Sequence, residues 1–60
     1  MTYLRLTEAY GGTVYVNPRY IISLRMDSTD GTTVIETTGG EPYETRDSME
    51  VVMSLIEQAV

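Results

Sequence analysis

The chain has 60 residues, 42% of them apolar, and its four Arg and no Lys stand against nine acidic groups for a formal net charge of −5. It contains no His, Cys, Trp or Phe, which excludes thiolate and imidazole catalysis, disulfides, iron–sulfur clusters and zinc sites of the usual His/Cys kind. Arg5, Arg19, Arg25 and Arg46 are scattered, so no basic patch is offered to nucleic acid or to an anionic membrane surface.

Residues 3–7, Tyr-Leu-Arg-Leu-Thr, alternate with period two, as a half-buried strand does. Residues 13–17 alternate too, with Val14 and Val16 on one face. The intervening Glu8-Ala9-Tyr10-Gly11-Gly12 ends in two glycines able to take positive φ. A loop of that length pairs Leu6 with Val14 and Leu4 with Val16, which predicts a hairpin. Asn17-Pro18 is the next break: Asn favours the first position of a turn and Pro presets φ for the second. The residue before Pro is held extended, so this pair reads as a structural turn motif.

The run Tyr20–Asp27 places Ile22, Leu24 and Met26 in alternation. Ile21 is apolar on the opposite side, which implies a bulge or burial on both faces. Asp27-Ser28-Thr29-Asp30-Gly31 resembles a calcium loop, but an EF-hand needs Gly at position 6 and Glu at position 12. Counted from Asp27, Gly31 falls at position 5 and Thr38 at position 12, so a strand-connecting turn is predicted. Thr32–Thr38 is strongly β-prone. A two-residue Gly39-Gly40 hairpin would put Ile35 and Tyr43 on opposite faces. A three-residue loop at 38–40, with Gly40 in the left-handed region, puts them opposite each other and is preferred. Pro42 cannot donate to a ladder, so strand 41–45 is expected at an edge.

The last segment changes period. Asp47 can cap a helix, with Glu50 three residues on as a capping box wants. Met49, Val52, Met53, Ile56 and Val60 then form one stripe. Val51 and Leu55 lie off it and widen the apolar arc. The expected fold is α+β: one domain over 1–60, made of a small antiparallel β-meander of four to five strands (3–45) with one C-terminal helix (47–60) packed on one face. The expected core is Leu4, Leu6, Val14, Val16, Ile22, Leu24, Ile35 or Val34, Tyr43, Met49, Val52, Met53 and Ile56.

No catalytic, cofactor-binding or metal-binding set is expected. The glycine pairs lack the Lys-Ser/Thr of a phosphate loop and open no helix. Glu36, Glu41, Glu44 and Glu50 read as a solvated face that keeps a small domain in solution. No apolar run reaches the roughly 20 residues that span a bilayer, and the first residues carry no basic segment followed by an apolar one; a soluble, cytoplasmic, non-enzymatic protein is expected. A chain this small, with neither disulfide nor metal, commonly gains stability by association. Tyr15, Tyr20, Ile21, Val51 and Leu55 are the expected interface residues, since they are apolar surface left over from the core.

The segment Gly12-Thr13-Val14-Tyr15-Val16-Asn17-Pro18-Arg19-Tyr20-Ile21 resembles the Asn-Pro-x-x-Ile core of the FlbD/SwrD family of small flagellar-motility proteins. Thr33-Val34-Ile35, Gly39-Gly40, Tyr43 and the helix from Ser48 through Ile56 follow in the same order and nearly the same spacing. The resemblance implies a cytoplasmic, non-enzymatic protein that supports flagellar motor output or flagellar expression, and it supplies no catalytic residues. The main expectation is therefore a self-associating protein-interaction module with protein partners. The alternative is an acidic regulator, phage- or plasmid-encoded, that binds a basic surface of transcription machinery.

Overall fold

Alternation along the first two apolar runs becomes a hairpin. In the computed structural model, which describes residues 2–59, strand β1 (Leu4–Thr7) buries Leu4 and Leu6 and exposes Arg5 and Thr7. It pairs antiparallel with β2 (Thr13–Val16), Leu4 opposite Val16 and Leu6 opposite Val14. The loop between them requires positive φ at Gly11 (99°) and Gly12 (90°), where only glycine is free of strain. Asn17 then holds ψ at 116°, the extended state demanded before Pro. Its Oδ1 accepts the Arg19 N–H at 3.0 Å and its carbonyl accepts the Tyr20 N–H at 3.1 Å. These bonds close a single 3-10 turn over Pro18–Tyr20.

Strand β3 (Ile21–Met26) corrects one expectation. Ile21 pairs with Thr37, but Ser23 pairs with Glu36, so Ile22 is the extra residue of a β-bulge. The bulge shifts the side-chain parity. Ile21 and Leu24, three residues apart, both pack on the core, and Ile22 is not a core residue: it is 65% exposed. The turn after β3 is closed by local bonds, with Asp27 Oδ1 accepting from Thr29 N–H and the Asp27 carbonyl from Gly31 N–H. It is the strand connection that the residue spacing predicts.

Strand β4 (Thr33–Thr37) buries both Val34 and Ile35, on opposite faces, and only Ile35 joins the main core. It pairs with β5 (Tyr43–Thr45), with Ile35 opposite Tyr43 as expected. The connection is longer than the expected 38–40 loop. It runs over 38–42, and Gly40 has no positive φ. Pro42 has no N–H to give, so pairing starts only at Tyr43.

Among the described residues, five strands make two sheets, β1-β2 and β3-β4-β5. They meet through a bridge between Glu8 and Thr45, the Ala9 N–H donating to the Glu44 carbonyl and the Arg46 N–H to that of Thr7. β5 is thus an edge strand whose outer side is partly covered by residues 7–9.

The helix α1 (Met49–Ala59) touches β1 and β3, one strand from each sheet. Its N-cap is Ser48 and not Asp47. Ser48 Oγ accepts the Val51 N–H at 3.2 Å and the Ser48 carbonyl accepts that of Val52. Asp47 is engaged elsewhere: its Oδ2 accepts the Thr7 N–H at 3.0 Å and lies 2.7 Å from the Thr45 hydroxyl. The buried stripe also differs. Val52 is fully buried, and Leu55, Ile56 and Ala59 pack on the core beside it, whereas Met53 is half exposed. The wide apolar arc of the helix contains two overlapping stripes, and contact with both sheets selects the one through Leu55. Val60, expected on the stripe, lies outside the described residues.

Candidate functional site

Two tyrosines of the expected interface come together. Tyr15 extends from β2 and Tyr20 ends the 3-10 turn; they are 61% and 57% exposed. Both line a groove of about 200 Å³ together with Asn17, Tyr43 and the glycines Gly39 and Gly40. The elements that build it follow from local chemistry. Alternation in β2 turns Tyr15 away from Val14 and Val16. The Asn17-Pro18 turn swings the chain so that Tyr20 stands beside β2. The ring of Tyr43 is half-buried, packing on the core while lining the groove. Neither Gly39 nor Gly40 has a heavy atom within 4 Å of where a Cβ would stand, so that wall is open space.

The remaining interface residues do not join them. Ile21 and Leu55 are both packed on the core, which corrects their assignment to an exposed surface. The bulge turns Ile21 inward, and the selected helix stripe turns Leu55 inward. Val51 is exposed on the helix, but it does not line the groove. Asn17 and Pro18 act as the turn that orients Tyr20, and Asn17 also borders the groove.

Tyr43 is the groove residue that strand reasoning placed in the core alone. Its partial exposure comes from the unpaired stretch at 38–42, which no parity argument foresees. A second feature was also missed. Asp27, Asp30 and Glu44 each bring a carboxylate oxygen within 4.8 Å of the other two. Asp27 and Asp30 are close in sequence, but Glu44 arrives across β4 from β5. Strand parity is the signal that could have found it, since Glu44 stands opposite Val34 while the Asp27 N–H bonds the Thr32 carbonyl.

Among the described residues, no helix is long and apolar enough to cross a membrane. Comparison of the chain with protein-family models, with curated proteins and with solved structures finds no match.

Proposed function

We propose that this chain is a small non-enzymatic protein-interaction module that associates with a second copy of itself through the tyrosine groove, and that it works in the cytoplasm as a motility accessory of the kind its Asn-Pro-x-x-Ile segment implies. The observation that carries this reading is the convergence of Tyr15, Tyr20 and Tyr43 on one groove, with the first two rings more than half exposed. A tyrosine ring buries much area at little rotamer cost and keeps a wet hydroxyl edge, which suits contact surfaces. Charge then specifies how copies meet. Each carries −5, so their net fields repel, and burial of the tyrosine rings has to outweigh that repulsion. Salt screens that repulsion and strengthens the contact. A basic partner held by the carboxylates would show the opposite dependence.

The test is light scattering behind size exclusion, across a wide range of protein concentration and at low and high salt. The expected result is a fixed multiple of 6.7 kDa that persists in high salt and falls to one copy in Tyr15→Ser/Tyr20→Ser. Gly40→Gln provides a second variant, since that position has open space and no positive φ. It obstructs the groove without disturbing the fold. A mass of one copy at every concentration overturns self-association. An assembly indifferent to all three substitutions overturns the groove as its contact.

A further inference from the structure

The β3-β4-β5 sheet has two faces. Ile21, Leu24, Ile35 and Tyr43 face the helix and the core. On the other face, pairing fixes which side chains are neighbours. Met26 pairs with Thr33, and one step further the Asp27 N–H donates to the Thr32 carbonyl at 2.8 Å, so Asp27 and Thr32 are opposite each other. Across the middle strand, Glu44 stands opposite Val34. Opposite residues project to the same side. Asp27 and Glu44 therefore lie on the same side of the sheet as Thr32 and Val34, as does Arg25, which pairs with Val34 from β3. Asp30 joins Asp27 and Glu44 from the turn, so that three carboxylate oxygens, one from each residue, lie within 4.8 Å of one another.

Thr32 lies beneath. It is 9% exposed, and its Oγ1 is buried without a hydrogen-bond partner. Oε2 of Glu44 is likewise buried without one. A buried polar atom normally finds a partner, and like charges this close repel. A cation at the point of convergence would resolve both features at once.

We propose that Asp27, Asp30 and Glu44 bind a calcium ion, with the Thr32 hydroxyl as a neutral fourth oxygen. An all-oxygen, carboxylate-rich set selects a hard divalent cation over a soft one. Ligand type favours calcium within that class: magnesium demands near-ideal octahedral geometry and holds its waters, whereas calcium accepts an irregular set of carboxylate and neutral oxygens such as this one. The site is not an EF-hand: two ligands come from one turn and the third from the edge strand β5. The ion would therefore tie the turn at 28–31 to that edge. With few ligands and Asp30 in an exposed turn, the expected Kd is about 10⁻⁴–10⁻³ M, as in the weaker calcium modules.

The test is thermal unfolding in calcium chloride, against sodium chloride of equal ionic strength and against magnesium chloride. At free calcium ten times Kd, the wild-type midpoint is expected to rise by about 6 °C or more for a chain of this size. Asp30→Asn and Glu44→Gln keep size and hydrogen bonding while each removes one charge. They are expected to lose the calcium shift while their calcium-free midpoints stay at or above wild type, because repulsion is relieved. Calcium titration of the wild type followed by amide NMR is expected to move the signals of residues 27–32 and 44. A rise matched by sodium chloride, a shift retained in both variants, or unmoved amide signals would overturn the proposal. A larger rise with magnesium would overturn the choice of ion.

Discussion

At Thr45 one hydroxyl serves three neighbours. The Asp47 N–H donates to its Oγ1 at 3.1 Å, and the hydroxyl proton is shared between the Thr7 carbonyl at 2.8 Å and Asp47 Oδ2 at 2.7 Å. A hydroxyl has one proton to give, so it alternates between two acceptors that each keep a second donor: Arg46 N–H for the carbonyl and Thr7 N–H for the carboxylate. Thr33 adds a fourth link, its hydroxyl donating to the Asp47 carbonyl at 2.9 Å. Both threonines are fully buried. This junction joins β1, β4, β5 and the start of the helix. Thr45→Val keeps the shape but leaves the Asp47 N–H without an acceptor, so it is expected to cost about 1–3 kcal/mol. Ser23→Ala removes the bond from the Ser23 hydroxyl to Glu36 in an exposed position, and is expected to stay within about 0.5 kcal/mol. Urea unfolding of the two variants side by side checks the contrast; equal losses would mean that the junction is not special.

At the scale of elements, the bulge in β3 and the cap of α1 each separate neighbours that look alike in sequence. Ile21 packs on the core and Ile22 lies outside it. Ile21→Ser is expected to cost about 2 kcal/mol or more, because it loses apolar burial and places a hydroxyl against the core. Ile22→Ser is expected to change stability by about 0.5 kcal/mol at most. Ser48→Ala removes the cap and is expected to cost about 1 kcal/mol, read as a lower unfolding midpoint and fewer protected amides in the first helical turn. These cases mark where sequence reading stops. The hairpin of β1 and β2 was legible because period-two parity and the loop length allow one register. The Ile35–Tyr43 pairing rested on preferring, of two possible registers, the one that keeps the larger apolar groups together, and its loop is longer than that register supposed. The bulge was half legible: Ile21 beside the alternating Ile22, Leu24 and Met26 admitted a bulge or burial on both faces, but parity alone does not choose between them or pick Ile22 as the inserted residue. The N-cap was not legible, since Asp47 and Ser48 are both good caps, and the choice falls on Ser48 once Thr7 and Thr45 claim the aspartate. The groove was half legible: Tyr15 and Tyr20 stood out as surplus aromatic rings, while Tyr43 depended on how far the β4–β5 pairing extends. The carboxylate cluster joins residues from two hairpins: Asp27 and Asp30 stood out within one turn, while Glu44 could be added only through the pairing of β4 with β5.

The whole molecule rests on six buried apolar side chains among the described residues, Leu4, Leu6, Val16, Val34, Ile35 and Val52. A chain of this length has a total stability of about 3–9 kcal/mol at the usual value per residue. Leu6→Ala, at about 2–5 kcal/mol, would consume a large part of it. Association changes that arithmetic, because a partner that binds only the folded chain adds stability that grows with protein concentration. The wild-type unfolding midpoint is therefore expected to rise as concentration is increased, and to rise further in high salt, where repulsion between chains of −5 is screened. Tyr15→Ser/Tyr20→Ser is expected to have a lower midpoint that does not depend on concentration, since these rings are mostly outside the monomer core. Calorimetry over a hundredfold range of concentration distinguishes the alternatives. A midpoint independent of concentration in the wild type would mean that six buried side chains and the Thr45–Asp47 junction hold the fold without a second copy, and the tyrosine groove would then be surface kept for a different protein.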